Sequence, residues 1–196
     1  MKKVYLFEYK LSVVRFEILI IAILGFTIIA GTSTQAFAAQ VDYFLKIDGI
    51  DGESKDDKHK NEIDIQSWSF GASQSGSMAA GGGGGAGKVS MQDFSFTKSM
   101  DKSSPKLFEA LATGKHLKEV KLVLRGSSSV EYLTITLTDV MISSYSTGGS
   151  SGDDRPTESI SLNFAQIKMS YVEQDASGRA GAATEFGWDL KANKKV

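Results

Sequence analysis

Few residues in this chain could do chemistry, and their spacing can be tested against three kinds of it. The first is phosphate binding. Gly82, four intervening residues, then Gly87 and Lys88 reproduce most of a nucleotide-binding loop, whose amides and lysine cradle phosphates. Such a loop also needs Ser or Thr directly after the lysine, and a helix presenting its N-terminal amides. Here Val89 takes the hydroxyl position, Ser90 comes one residue late, and VSMQDFSFTK then alternates like a strand. The stretch AAGGGGGAGKVS, residues 79–90, therefore reads as a pliable connection between strands. The second chemistry is calcium binding by Asp48, Asp51, Glu53, Asp56 and Asp57. These acids lack the alternate spacing of a calcium loop, and Lys55 and Lys58 lie among them, so the segment reads as a solvated mixed-charge loop. The third is histidine chemistry. His59 and His116 both sit beside lysines, with no evident metal partners and no nucleophile elbow in the sequence. Trp68 and Trp188 read as core or interface anchors. Nothing here argues for an enzyme or for a cofactor.

Bulk properties narrow the partners. A chain of 196 residues with 41% apolar and 23% charged residues is ordinary for one globular domain with a core. A net charge of -1 gives no electrostatic reason to expect nucleic acid. Zero cysteines removes disulfides and thiolate sites and leaves the redox compartment open. The N-terminus differs in kind. Residues 18–31, ILIIAILGFTIIAG, form an apolar run behind Lys2, Lys3, Lys10 and Arg15, and Ala36 and Ala38 have the spacing that signal peptidase reads. The run is shorter than the roughly 20 residues of a comfortable membrane span. Residues 1–38 are thus a signal-peptide-like or anchor segment, and residues 39–196 a single domain. The long leader and the acids Glu8 and Glu17 are off-pattern, so an uncleaved membrane anchor and a true start near Val41 remain open beside cleavage.

The elements that must position these residues are mostly strands. Period-two alternation runs through Val41, Tyr43, Leu45 and Ile47; Ile63 and Ile65; Val120, Leu122 and Leu124; Leu133, Ile135 and Leu137; Ile160, Leu162 and Phe164; and Phe186, Trp188 and Leu190. Trp68 and Phe70 follow Ile63 and Ile65 out of phase, which predicts bulges or strands bending round a barrel. One segment is helical: Ser104 as N-cap, Pro105 first, Leu107, Phe108 and Leu111 on one face, and Gly114 as the stop. Three polar loops, DGIDGESKDDKHKNE, SQSGSMAAGGGGGAGK and STGGSSGDDRPTES, are expected on the surface. The fold class is mainly β, a compact two-sheet β-barrel carrying one short α-helix.

Several of these stretches taken together, VDYFLKIDGIDGESKD, EIDIQSWSFGASQSGS, GGGGGAGKVSMQDFSFTK, DKSSPKLFEALATGKH and STGGSSGDDRPTESISLNFAQI, closely resemble the Hcp family of bacterial type VI secretion tube proteins. The resemblance runs in order from Val41 to about Leu190. It implies a structural role: hexameric, ring-forming barrels that stack into a tube, driven out by a sheath with a spike, and carrying effector proteins in the lumen. It further implies that Ser69 faces cargo in the lumen. The loop containing Glu53, Ser54, Lys55, Asp56, Asp57 and Lys58 would be an arm reaching an adjacent ring or subunit. A membrane would be met only through the N-terminal segment, if uncleaved. The leader departs from the family pattern, in which subunits assemble in the cytoplasm before export.

Overall fold

A computed structural model describes residues 41–74, 88–127, 129–175 and 177–196. The leader and residues 79–87 of the glycine-rich stretch lie outside the described residues. The chain begins with β1 (Asp42–Ile47), β2 (Ile63–Asp64), β3 (Ser67–Ser69), β4 (Ala72–Gln74), β5 (Val89–Met91) and β6 (Phe94–Ser99). It continues through α1 (Ser104–Thr113), β7 (Leu117–Arg125), β8 (Glu131–Gly148), β9 (Thr157–Gln174), β10 (Ala180–Asp189) and β11 (Lys194–Lys195). One curled sheet runs β11-β10-β9-β8-β7-β1-β2, with β6 on β9 and β3 on β6; β4 and β5 form a separate ribbon. The architecture is barrel-like and mainly β, as the alternation predicts.

Two long strands hold the barrel together because each serves both walls. The first part of β9 pairs with β6 from Thr157 to Leu162, and its second part pairs with β10. The first part of β8 pairs with β7 as far as Val140, and beyond that only with β9. At Asp139 the backbone takes φ +52°, and the inward set of β8 changes from Ile135 and Leu137 to Val140 and Ile142. Strand β9 changes at the same level, from Phe164 to Ile167. Both inward sets feed one core cluster with Leu45, Phe94, Phe96, Leu107 and Leu122. The phase slip read between Ile65 and Trp68 has a comparable origin. Ile65 N–H donates to Tyr43 O, whereas Gln66 N–H donates to Thr97 O, so the chain leaves β1 and joins β6 between these residues.

The helix starts and stops close to the expected places. Ser103, not Ser104, precedes its first turn, and Pro105 sits within that turn. Ser104 is instead buried inside the helix, where its hydroxyl is committed to charged groups. Gly114 adopts φ +62°, and its N–H and that of Lys115 reach the Leu111 and Ala110 carbonyls. The core face is Ser104, Leu107 and Ala110, with Leu111 beside it. Phe108 falls outside that stripe, 56% exposed, with its ring edge-on to Tyr145. Phe186 also departs from expectation: its side chain is 53% exposed and stacks on Trp188, which packs against the core.

The charged loop before β2 is not simply solvated. Phe44 and Val123 are register partners on the outer face of β1 and β7, and both are buried. Residues 51–62 fold back over that face, burying Ser54 and His59 and stacking the imidazole on Phe44 at 4.1 Å. A period-two reading assigns one face of β1 to the core and misses this second, smaller packing layer. The STGGSSGDDRPTES segment is largely strand at its ends, since β8 reaches Gly148 and β9 starts at Thr157.

Candidate functional site: a neutral hydroxyl face

Strands β3, β6, the first part of β9 and the last part of β8 lie side by side, and every outward position between them carries a hydroxyl or is glycine. Register pairs assemble the rows. Ser69 lies beside Ser95, Ser95 beside Ser161, and Ser161 beside Ser144. The next row is Ser67, Thr97, Ser159 and Ser146, and the third is Ser99, Thr157 and Gly148. The alternation of side chains along a strand makes this possible. Phe94, Phe96, Ile160 and Leu162 take the inward positions and leave the hydroxyls on the outside. Cross-strand hydrogen bonds knit the surface: Ser67 Oγ to Thr97 Oγ1 at 2.7 Å, and Ser95 Oγ to Ser161 Oγ at 2.9 Å. Gln66 Nε2 extends the face by donating to Ser99 Oγ at 2.9 Å.

The two charged residues within these strands point the other way. Lys98 and Glu158 are register partners and fully buried, with Nζ 2.8 Å from Oε2. Asp101 Oδ1 lies 2.7 Å from the same Nζ, and Ser104 Oγ donates to Glu158 Oε2 at 2.8 Å. Tyr145 donates its hydroxyl to the other carboxylate oxygen. Burial first, then the Glu158 carboxylate, pushes the Tyr145 hydroxyl up to about 12. This network ties α1 to the sheet and keeps charge off the hydroxyl face. Charge returns only at the borders, as Asp93 beside Asn163 and Ser143, and as Asp153, Asp154 and Arg155 beyond the strand ends.

Ser69 lies exposed in the first hydroxyl row. The six loop residues are placed differently from one another. Ser54 is buried, and Asp56 accepts from Arg125 Nη2 at 2.6 Å and from the Lys58 and His59 amides. Arg125, foremost by its hydrogen bond, holds the Asp56 carboxyl well below the usual carboxylate range. Glu53 accepts from the Lys102 amide and lies 3.4 Å from Arg155. Lys55, Asp57 and Lys58 are exposed.

Among the described residues, the remaining chemistry-bearing side chains form no reacting set. His116 Nδ1 lies 2.8 Å from Asp139, which also holds Lys191 Nζ at 2.6 Å, in an open cleft of about 330 Å³ that Lys88 borders. Among the described residues, no hydroxyl nucleophile lines that cleft. Among the described residues no three His, Asp or Glu side chains gather as a metal site. The sequence carries the signal of this face, as Ser and Thr at alternate positions of four segments, but the register joining those segments spans more than 90 residues.

Comparisons with known proteins show the class to which this barrel belongs, the proteins of type VI secretion systems. Residues 44–171 match the family model described as "Type VI secretion system effector, Hcp". Protein hcp1 of Pseudomonas aeruginosa is 54% identical over 157 residues, covering 78% of this chain and 97% of that protein. The crystal structure of Hcp1 from Salmonella typhimurium superposes with a TM-score of 0.68 at 42% identity, covering 80% of this chain and 99% of that one. A type VI secretion system effector from Yersinia pestis gives 0.64 at 39% identity, covering 76% and 99%. This chain belongs to the Hcp family of type VI secretion proteins.

Proposed function

We propose that this protein is a ring-forming tube subunit whose hydroxyl face lines the lumen and touches effector cargo at Ser69. The observation that carries the reading is a neutral four-stranded sheet with two open edges. Among the described residues, β3 pairs only with β6, and β8 beyond Val140 pairs only with β9. Unpaired strand edges invite pairing with another chain, and a head-to-tail contact whose rotation closes makes a ring. Joining the β3 edge of one copy to the β8 edge of the next would run the hydroxyl rows round a common channel. A hydroxyl both donates and accepts, so such a wall meets varied cargo without selecting by charge. Residues 53–58 would contact an adjacent ring or subunit through the exposed Lys55, Asp57 and Lys58. Sheath, spike and effector proteins are the partners this role entails.

Size-exclusion chromatography with light scattering, followed by electron microscopy, tests the ring. Rings are expected; a strictly monomeric protein at high concentration overturns the reading. The apolar run at residues 18–31 supports a second reading, an exported or anchored Hcp-like module that forms rings without serving a contractile apparatus. Export that continues undiminished in a strain lacking the sheath gene favours this second role. Mass spectrometry of the native N-terminus separates the leader's fates. A start at Ala39 indicates cleavage, and formyl-Met at position 41 indicates a downstream start.

A further inference from the structure

We infer that neighbouring copies are held by an aromatic clasp, in which Phe108 and Tyr145 of one copy seat against Phe186 and Tyr171 of the next. The inference rests on the ring-forming reading and adds which flanks of the barrel meet. Phe108 is 56% exposed, Phe186 53% and Tyr171 50%, and they fall into two patches. In the first, the ring of Phe108 on α1 lies edge-on to Tyr145 of β8, with centroids 5.5 Å apart. In the second, Phe186 of β10 stacks on Trp188 at 6.2 Å. Register sets Phe186 beside Met169 and Thr184 beside Tyr171, so Phe186, Met169 and Tyr171 share one face of β9 and β10. Trp188 and Met169 pack against the core, whereas Phe186 and Tyr171 continue that face into solvent.

Strand order puts the two patches on opposite flanks. Strand β9 gives one of its edges to β8. Its other edge goes first to β6, which carries β3, and then to β10. Strand β10 therefore lies on the β3 side of the β8–β9 pair. Tyr145 belongs to the stretch of β8 beyond Val140, which among the described residues pairs only with β9 and forms the opposite edge. A head-to-tail contact that joins β3 of one copy to this β8 edge of the next brings the Phe186 flank to the Phe108 flank.

The sheet edges need that addition. Strand β3 has three residues, Ser67–Ser69, and offers about 10 Å of backbone. A stable interface covers about 800 Å² on each partner, more than so short an edge supplies. Two partly exposed aromatic rings per copy add on the order of 200 Å² to it. Charge does not oppose the contact. Lys106 and Glu109 beside Phe108 pair at 2.8 Å, and Lys168 and Glu185 beside Phe186 pair at 2.9 Å.

The sequence has no cysteine, so thiols placed on the two flanks report on this contact alone. The full chain carrying F108C and F186C together is treated with a short bismaleimide under ring-forming conditions and run on a denaturing gel. A ladder extending beyond the dimer is expected, while either single variant, with one thiol per copy, stops at the dimer. Rings of the double variant that give no ladder overturn the inference and leave these flanks to another protein, such as sheath or effector. Phe108→Ser and Phe186→Ser decide the matter if the thiol variant does not assemble. Each should raise the subunit concentration at half-assembly about tenfold, and the two together little further, because both remove one contact. An unchanged half-assembly concentration in either variant overturns the inference, and so does full additivity of the two. A wild-type chain that stays monomeric removes the ring reading and the clasp together, whereas wild-type rings with insensitive variants remove the clasp alone.

Discussion

Arg125 reaches Asp42 at 2.9 Å and Asp56 at 2.6 Å, and its guanidinium also covers the Phe44 ring. Replacing it with Met keeps the aliphatic stem and removes both ion pairs. The Tm should fall by about 2–4 °C, the shift expected for a loss near 1 kcal/mol in a chain of this size. The sign of its pH dependence follows from the depressed Asp56 carboxyl. That carboxylate's contribution is fully present above the ordinary value of about 3.9 and is lost as pH falls toward its own lower value. The gap between wild type and Arg125→Met in thermal melts should therefore narrow below pH ~4. Tyr145 acts at the other end of the scale. Its value is raised to about 12, so its contribution is present below the ordinary value of about 10 and disappears as pH climbs through 12. Tyr145→Phe should cost about 1–3 kcal/mol in urea unfolding, because it removes a donor from buried Glu158. It should also flatten the stability profile between those two pH values.

At the level of elements, the buried Lys98–Glu158 pair enforces register. Slipping β6 by one residue against β9 would turn Lys98 outward and bring Ser and Thr into the core, since side chains alternate with period two. Removing one partner strands a buried charge. Lys98→Met alone should cost about 3–5 kcal/mol in urea denaturation, and adding Glu158→Leu should recover most of that loss. If the double variant is as unstable as the single one, the pair is not the source of the cost. Glycine constrains one further element. A Cβ on Gly52 would lie 2.4 Å from the Glu62 carbonyl oxygen, a backbone atom that cannot step aside cheaply. Gly52→Ala should open the loop of residues 51–62, seen as faster exchange confined to that loop with the barrel amides unchanged.

On the scale of the whole molecule, neutrality predicts how the protein associates. Sheet-edge hydrogen bonds and a hydroxyl wall are short-range, whereas exposed charge pairs weaken within a Debye length of about 10 Å at 0.1 M salt. The ring fraction measured by light scattering should therefore change less than about twofold between 50 and 500 mM NaCl. Ser69→Asp tests the lumen. The position is exposed, so barrel stability should shift by no more than about 0.5 kcal/mol. Repeated round a ring, however, the new charges would face one another across the channel, and effector co-purification should fall. Unchanged effector recovery from intact Ser69→Asp rings would remove Ser69 from the cargo surface.

Much of this was legible in the linear pattern. Alternation in VKLVLR and SISLNF placed inward residues correctly because an interior wall of an antiparallel sheet repeats every second residue. Gly114 marked the helix end because only a left-handed residue closes it there. The long motifs sufficed for the family, since they preserve many positions in order. Periodicity failed where a strand had two buried faces, as at Phe44 and Val123, and where a strand changed walls, as at Asp139. It also gave no hint that His59 would be covered, because its neighbours Lys58 and Lys60 are charged and exposed. The sequence alone thus determined the strands, the helix and the family. Only the tertiary structure decided which serines share a surface and which charges are buried together. Those relations depend on register between strands far apart in the chain, and register is set by packing rather than by any local run of residues.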